Sequence, residues 1–513
     1  MTASTRQKSS SNNACEQIAG WQRAAGLGDQ PAILAGDRVM TFSGLADYIG
    51  RVGNALRMGG VGRGDRVLLL MSDSPELVAA YLAVMKIGAI VVALNTRSSA
   101  REIGHAMTDS ACAAFLTDRA LFSLYEAALA VGDRTPPLVV SDVAAFAAGC
   151  DPVLEATPVS PADDAFMIYT SGTTGAAKAA IHRHGDVVIG DLHLRRNFGV
   201  VPGDRVFSTS KLFFAFALGH SLIGALKCGA TIVLHDGWPD AGAVDAVVER
   251  HAPTILLSVP TLYRNLLRAE VVAKPAFRRI RHFISAGERL PESVFSEWFN
   301  ATGQPILEGI GTSEIVFLAI ANTPTAYRMG SSGRPMPWAT VKLVGDDGKP
   351  VREPGQTGIL WLKMDSVASG YWNRPDKTAE SFQRGWYRTG DVFSFDEEGW
   401  WSHHGRGDDM LKISGQWVSP AEIEEHALKL SGVADVAAVG VTNEDGLVRL
   451  GLAVVRGDHA PAPDILEANL RRHFERSLSI YKCPRRIRFV DEMPRTVTGK
   501  LQRFRVRDLF APS

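Results

Sequence analysis

Residues 168 to 178 read IYTSGTTGAAK, a run of hydroxyls and glycines closed by one lysine. Glycines let backbone N–H groups approach an anion, hydroxyls add donors and a lysine adds charge, so the stretch suits the holding of phosphate groups. Spacing removes one version of that idea. A P-loop needs a glycine, four residues, then Gly-Lys and a hydroxyl. Counting from Gly172, the places of the second glycine and the hydroxyl hold Ala177 and Ala179. On these residues alone, an ordinary polar loop between two elements stays open. Four more islands carry charge or glycine: SAGERL (285–290), EGIGTSE (308–314), WYRTGD (386–391) and PRTVTGKLQR (494–503). Taken singly, Glu314 and Asp391 read as surface carboxylates and Lys500 as a solvated lysine in a turn.

Elements able to position these islands are legible in the hydrophobic pattern. In DRVLLLMSDSPELVAAYLAVMKIGAIVVALN, RVLLLM predicts a buried strand, Ser74-Pro75 a helix start and AIVVAL the next strand. The alternation returns at DRVFSTS, ATIVLHD and PTILLSVPTLYRNLL, which argues for α/β layers with mainly parallel sheets. Past about residue 330, short strands and Asp-Gly or Glu-Gly turns predict hairpins. A compact mixture of helix and strand follows, ending in a basic stretch from Arg471 to Arg507. The expected organisation is α/β: a flexible tail over 1–20, a large N-terminal domain of parallel layers with a β-rich subdomain over 21–407, and a small α+β domain over 408–513.

Composition narrows the partners. The 513 residues exceed one usual domain. Acidic and basic residues balance at 55 each, which does not suggest nucleic acid or an anionic membrane as partner. The five cysteines are scattered, odd in number and never spaced CxxC, so a disulfide framework and a zinc site are disfavoured and a reducing, cytoplasmic setting is expected. The most apolar stretch, AAYLAVMKIGAIVVAL, is interrupted by Lys86 and Gly88 and is too short to span a bilayer.

Together and in this order, the five islands resemble the acyl-activating, AMP-forming ligase superfamily of acyl-CoA synthetases, luciferases and adenylation domains, over essentially the whole chain after about residue 20. The resemblance implies ATP, Mg2+ and coenzyme A as cofactor and cosubstrates, and a carboxylic acid activated by transfer of AMP. It implies that the loop from Thr170 through Ser171, Gly172, Thr173, Thr174 and Gly175 to Lys178 cradles the β and γ phosphates. Glu314 would hold the metal and Ser313, at the usual threonine position, the α-phosphate. Gly287, Glu288, Glu308, Gly309 and Ile310 would belong to the nucleotide site, with Asp391, supported by Arg406, on the ribose hydroxyls. Lys500 would reach the reacting carboxylate and α-phosphate. Asp408 would be a hinge that swings the C-terminal domain, and Gly415 would leave room for the thiol of CoA.

Within the superfamily, KLFFAFALGHSL (211–222), SVPTLY (258–263) and EGIGTSEIVFLAIAN (308–322) resemble the benzoate-CoA ligase branch. Carried over, the acid pocket comprises Phe214, Ala215, Phe216, Gly311 and Leu318, a flat slot suited to a ring. The chain departs from that branch at Phe317, where a histidine is usual, at His220, where an asparagine is usual, and at AAKAA in place of a Pro-Lys-Gly ending. The first departure points to a less polar or differently substituted ring, or an alicyclic acid; His220 could serve a ring substituent or the carboxylate. The expected reaction is ATP-dependent ligation of an aromatic acid, benzoate or a hydroxy- or aminobenzoate, to CoA by a monomer or homodimer. Loading of a carrier protein is the nearest alternative, and a non-catalytic binder is disfavoured by retention of Lys178, Glu314, Asp391, Arg406 and Lys500.

Overall fold

A computed structural model describes residues 11–510, apart from 171–176, 408–409, 414–415, 443–447 and 496–500. The chain divides into two compact units, Met1–Val341 with Trp361–Thr389, and Lys342–Leu360 with Gly390–Ser513. By that division the segment 390–407, expected at the end of the first domain, falls in the second unit.

Two large sheets dominate the first unit. One runs, in spatial order, Gly370–Tyr371, Lys178–Arg183, Asp164–Thr170, Ile90–Ala93, Arg66–Leu70, Ala114–Thr117 and Leu138–Val140. Its last five strands are parallel, and the first two are added antiparallel. Arg66–Leu70 is buried from Val67 to Leu70, which is why its sequence is continuously apolar: a parallel strand covered on both faces has no solvent side to keep polar. The helix Pro75–Lys86 that follows is capped by the Ser74 hydroxyl, which accepts from Leu77 N at 3.1 Å, with Pro75 supplying a preset first turn.

The second sheet has the order Arg334–Pro335, Ile320–Ala321, Ile306–Ile310, His282–Ser285, Ile255–Ser258, Arg205–Ser208, Thr231–Leu234, Pro31–Ala35 and Arg38–Thr41. Four neighbours at its centre, Arg205–Ser208, Ile255–Ser258, His282–Ser285 and Ile306–Ile310, run parallel. The segments leaving their C-terminal ends are therefore 209–222, 259–263, 286–290 and 311–318, which overlap the stretches that carry the resemblance. Open parallel sheets bind ligands at these ends because the loops converge there while the strands fix their bases. One face of this sheet packs on a core in which Trp298 meets Tyr263 and Phe283 edge to face at 4.8 and 4.9 Å.

In the second unit, Val433–Thr442 pairs antiparallel with Val448–Arg456, which pairs parallel with Arg486–Val490. The helices Pro420–Leu428 and Pro463–Ser477 contribute Ile423, Ala427, Leu466, Leu470 and Phe474 to the core against this sheet. Among the described residues, no helix is long and apolar enough to cross a membrane.

The flexible tail expected over 1–20 needs correction. Ala14–Ala19 is a helix that buries Ala14, Cys15 and Ile18. Asn13 holds it: its Oδ1 accepts from Cys15 N, and its Nδ2 donates to Met85 O and Lys86 O at 3.1 Å each, the final turn of Pro75–Lys86. One amide thus caps the start of one helix and the end of another, a pairing between distant segments that composition does not reveal. Replacing it should unpair several buried groups at once. Asn13→Ala is expected to lower stability by about 2–3 kcal/mol, read as a lower urea midpoint; a shift within error would remove Asn13 from this role.

Candidate active site

The strands Asp164–Thr170 and Lys178–Arg183 form an antiparallel pair whose register ends with Thr170 opposite Lys178. Thr170 Oγ1 donates to Lys178 O at 3.3 Å, so Thr170 and Lys178, which bracket the hydroxyl-rich stretch, are held side by side. Ser171, Gly172, Thr173, Thr174 and Gly175 lie outside the described residues. Lys178 Nζ sits 3.9 Å from the centroid of the Tyr371 ring, a cation–π contact. Tyr371 OH in turn donates to Glu314 Oε1 at 2.7 Å. Burial, reinforced by the Glu314 charge, pushes the Tyr371 phenol well above its ordinary pKa, so it stays a donor at any working pH. The sheet explains the meeting: Tyr371 pairs with Ala180 on the strand that begins at Lys178.

Glu314 belongs to a segment tied down along its length. Ala368 N donates to Glu314 O at 2.9 Å, Ser366 Oγ to Ile315 O at 2.6 Å, and His182 Nε2 to the carbonyl of Ser313 at 2.8 Å. The His182 ring is itself fixed by stacking on Phe166 at 4.8 Å. Just beyond, Val316 has φ +62°, a left-handed conformation that is unusual for a β-branched residue. Phe317 N closes a three-residue turn onto Ile315 O at 2.6 Å. Strain of this kind persists where surrounding contacts over-determine the backbone and gathers at functional sites.

The other nucleotide candidates are placed less uniformly. Gly287 has φ +92°, which suits glycine. Glu288 accepts from Thr261 Oγ1 at 3.3 Å. Glu308 points inward and is buried; its carboxylate accepts from Leu290 N at 2.8 Å and Ser332 Oγ at 2.9 Å, so it anchors the 286–290 segment to its own strand. Gly309 and Ile310 pair with Ala321 and Ile320. A Cβ at Gly309 would lie 2.6 Å from Leu318, and one at Gly311 would lie 3.1 Å from Phe317 O, so these glycines let the 311–318 segment fold back closely.

The acid-pocket candidates gather around a distorted helix. Phe214 precedes a helical turn, Ala215–Ala217, that widens into a π-helix over Leu218–Ala225. Phe214, Ala215 and Phe216 remain partly exposed while His220 is fully buried. Phe216 and Phe317 flank His220, with ring centroids at 5.4 and 6.0 Å. The base of the segment is fixed by Lys211, which donates to His235 O and lies 3.8 Å from Asp73. Burial pushes the Asp73 carboxyl up to about 6 against the opposing pull of Lys211. Trp238 closes against Phe213 and Phe214 at 6.1 and 6.4 Å, with the Arg97 guanidinium 4.1 Å over its ring.

In the second unit, Trp386–Phe395 and Trp401–Arg406 pair so that Asp391 faces Arg406. Arg406 Nη1 is 3.4 Å and His403 Nε2 3.6 Å from Asp391 Oδ1. Burial alone would raise the Asp391 carboxyl, but His403 and Arg406 outweigh it and hold the group below the usual carboxylate range. The guanidinium lies over Gly390, whose φ is +78°. Lys500, Asp408 and Gly415 lie outside the described residues. Sequence reasoning missed Tyr371, Trp238, the Asp73–Lys211 pair and His193, which contacts His220 edge to face at 5.5 Å. Only Tyr371 had a local signal, the SGYWNRP turn, and nothing in that signal points to Glu314.

Comparison with known proteins agrees with this arrangement. The model of the AMP-binding enzyme family matches residues 20–372, and that of the AMP-binding enzyme C-terminal domain matches 422–500. The chain is 49% identical to a 3-hydroxybenzoate–CoA ligase of Aromatoleum sp. (strain CIB), covering 97% of each chain. It is 47% identical to a 3-hydroxybenzoate–CoA/4-hydroxybenzoate–CoA ligase of Thauera aromatica, covering 98% of each. Its fold superposes on the crystal structure of the anthranilate CoA ligase AuaEII in complex with anthranoyl-AMP with a TM-score of 0.90, at 32% identity and 97% coverage of both. The two family matches and the full-length similarity place the chain in the AMP-binding enzyme family, among its AMP-forming acid–thiol ligases.

Proposed function

We propose that the protein is an aryl-acid–CoA ligase, whose acid is a hydroxybenzoate. The observation that carries the reading is the run Lys178, Tyr371, Glu314 beside the ends of the hydroxyl-rich stretch, supported by full-length similarity to ligases named for 3-hydroxybenzoate.

In the first half-reaction an oxygen of the acid's carboxylate attacks the α-phosphorus of ATP, the bond to the bridging oxygen breaks, and pyrophosphate leaves with that electron pair. Two anions must meet, so charge neutralisation is the main requirement. Lys178 and the loop that it closes are suited to the β and γ phosphates, Ser313 to the α-phosphate, and Lys500 to the attacking carboxylate. Glu314, a buried carboxylate joined through Tyr371 to Lys178, fits magnesium, which binds through one or two carboxylates plus phosphate oxygens and water; bound there, the ion would supply further neutralisation of the triphosphate. Asp391 can accept from both ribose hydroxyls, since an ionised carboxylate only accepts, and Arg406 and His403 keep it ionised. In the second half-reaction the sulfur of CoA attacks the acyl carbon and AMP departs with the former carboxylate oxygen. A turn of the C-terminal domain about Asp408, with Gly415 beside the incoming thiol, would exchange the two halves. The five free cysteines fit a reducing, cytoplasmic setting.

Incubating the protein with ATP, magnesium, CoA and a panel of benzoates, hydroxybenzoates, aminobenzoates and cyclohexanecarboxylate should yield AMP and an aromatic thioester by mass spectrometry. Acyl-adenylate without thioester, or no AMP with any acid, would sink the reading. Lys500→Ala should slow adenylation by roughly 100-fold or more, in the range of lost electrostatic contacts, while thioester formation from presynthesised acyl-adenylate continues; equal losses would count against its role. Tyr371→Phe keeps the ring face for Lys178 and removes the donor to Glu314, so the magnesium concentration needed for half-maximal rate should rise several-fold, and an unaltered requirement would separate Tyr371 from the metal. Asp391, with a folded pKa below its unfolded value of about 3.9, contributes fully above that value and loses its contribution as pH falls through the folded pKa. The KM for ATP should therefore carry no titration from this group between about pH 5 and 9, whereas Asp391→Asn should raise it throughout that range.

A further inference from the structure

Two buried imidazoles behind the acid-pocket candidates have one nitrogen each with its partner and one without. His193 is buried at 2% exposure and His220 at 0%. Their ring centroids are 5.5 Å apart at an interplanar angle of 84°. His193 Nδ1 receives a hydrogen bond from the Asn197 amide nitrogen at 3.0 Å, and the same NH2 group reaches Met336 Sδ at 3.3 Å. His220 Nδ1 faces the carbonyl of Phe216 at 3.1 Å. The Nε2 atoms of both are buried and without a hydrogen-bond partner. Buried polar atoms left unpaired are few in native proteins and each calls for a reason.

The committed nitrogens fix what the vacant ones can do. Because Asn197 donates to it, His193 Nδ1 is an acceptor, so the proton of a neutral ring sits on Nε2 and that atom donates. Because a carbonyl can only accept, His220 Nδ1 carries the proton and its Nε2 is an acceptor. Burial keeps both rings neutral: His220 is lowered to about 4, and His193 falls well below its ordinary value through burial and then the neighbouring His220. The pair therefore offers one donor and one acceptor on neighbouring rings, in an aromatic surround. Trp338 meets His193 at 6.0 Å, and Phe317 and Phe216 meet His220 at 6.0 and 5.4 Å. Both histidines stand on π-helical segments, His193–Asn197 and Leu218–Ala225, a rare geometry that recurs at functional sites. Glycines bring these segments together: a Cβ at Gly190 would lie 2.6 Å from Ile223, and one at Gly224 would lie 3.1 Å from Leu194.

A phenolic hydroxyl is the group that matches this pair, since it accepts and donates through a single atom. We propose that His193 and His220 together bind a hydroxyl on the ring of the acid, His193 Nε2–H donating to its oxygen and His220 Nε2 accepting from its proton. The proposal rests on the aryl-acid–CoA ligase reading and names the residues that would distinguish a hydroxybenzoate from benzoate. A methyl or hydrogen at that place leaves both nitrogens unpaired in a dry site, and sites of this type reject analogues lacking the hydroxyl. Chlorine supplies no donor and satisfies at most one of them.

The test is the ratio of kcat/KM values for 3- and 4-hydroxybenzoate against benzoate, 3-methylbenzoate and 3-chlorobenzoate, measured by thioester formation with the full-length protein. The better hydroxybenzoate should exceed benzoate by roughly 100-fold or more, and His193→Phe and His220→Phe, which keep ring bulk, should each bring that ratio down at least ten-fold. A wild-type ratio near one, with thioester still formed, overturns the proposal and leaves the ligase reading standing; this arm requires no variant to fold. Variants that lose all acids in proportion, with the ratio intact, also overturn it. No thioester from any aromatic acid overturns the ligase reading itself.

Discussion

An ammonium and a carboxylate that share one neighbour could pair with each other directly. At 4 Å and an effective dielectric of 20 such a pair gains about 4 kcal/mol. Tyr371 offers each a separate contact: its ring face takes Lys178 and its hydroxyl takes Glu314. The position depends on the sheet: Tyr371 is held two residues along the strand from Lys178 by the added antiparallel edge, and that edge is held by the buried parallel strands behind it. The parallel layers thus serve to keep a phenol in place as much as to bury apolar surface.

The second sheet solves a different problem. A ring acid needs a dry slot with a few fixed polar atoms, and loops by themselves supply neither dryness nor fixity. Here the 209–222 and 311–318 segments leave parallel strands of one sheet and are then locked by contacts only small residues permit, at Gly219, Gly309 and Gly311. The turn at Val316 and the π-helix at Leu218–Ala225 are the distortions that remain when two rigid segments are pressed together. The left-handed Val316 costs on the order of 1–3 kcal/mol and is supported by a buried surround.

Much of this was legible beforehand. RVLLLM, Ser74-Pro75 and AIVVAL announced Arg66–Leu70, Pro75–Lys86 and Ile90–Ala93 because burial on both faces and a capping hydroxyl leave local marks. The islands around Glu314 and Asp391 were visible for a similar reason, since glycines and carboxylates gathered in one short stretch are locally unusual. Tyr371 was not, because it sits 57 residues from the carboxylate it holds, and its own neighbourhood reads as a turn. The inward-facing carboxylate of Glu308 accepts from Leu290 and Ser332, 18 and 24 residues away, contacts that the EGIGTSE stretch does not announce.

Phe317 teaches the sharpest lesson about reading a pocket position by position. Its apolar ring, standing where a histidine is usual, suggested a loss of polarity. In the fold that ring packs against His220 on the adjoining helix, which in turn meets His193 on a segment with no motif of its own. HLRRNFG reads as an unremarkable helical stretch, and its histidine acquires meaning only when Asn197 fixes its tautomer and His220 stands edge to face beside it. Polarity in a buried pocket belongs to the enclosure as a whole, and a hydrogen-bonding group moved from one wall to another keeps the chemistry while erasing its signature from the sequence.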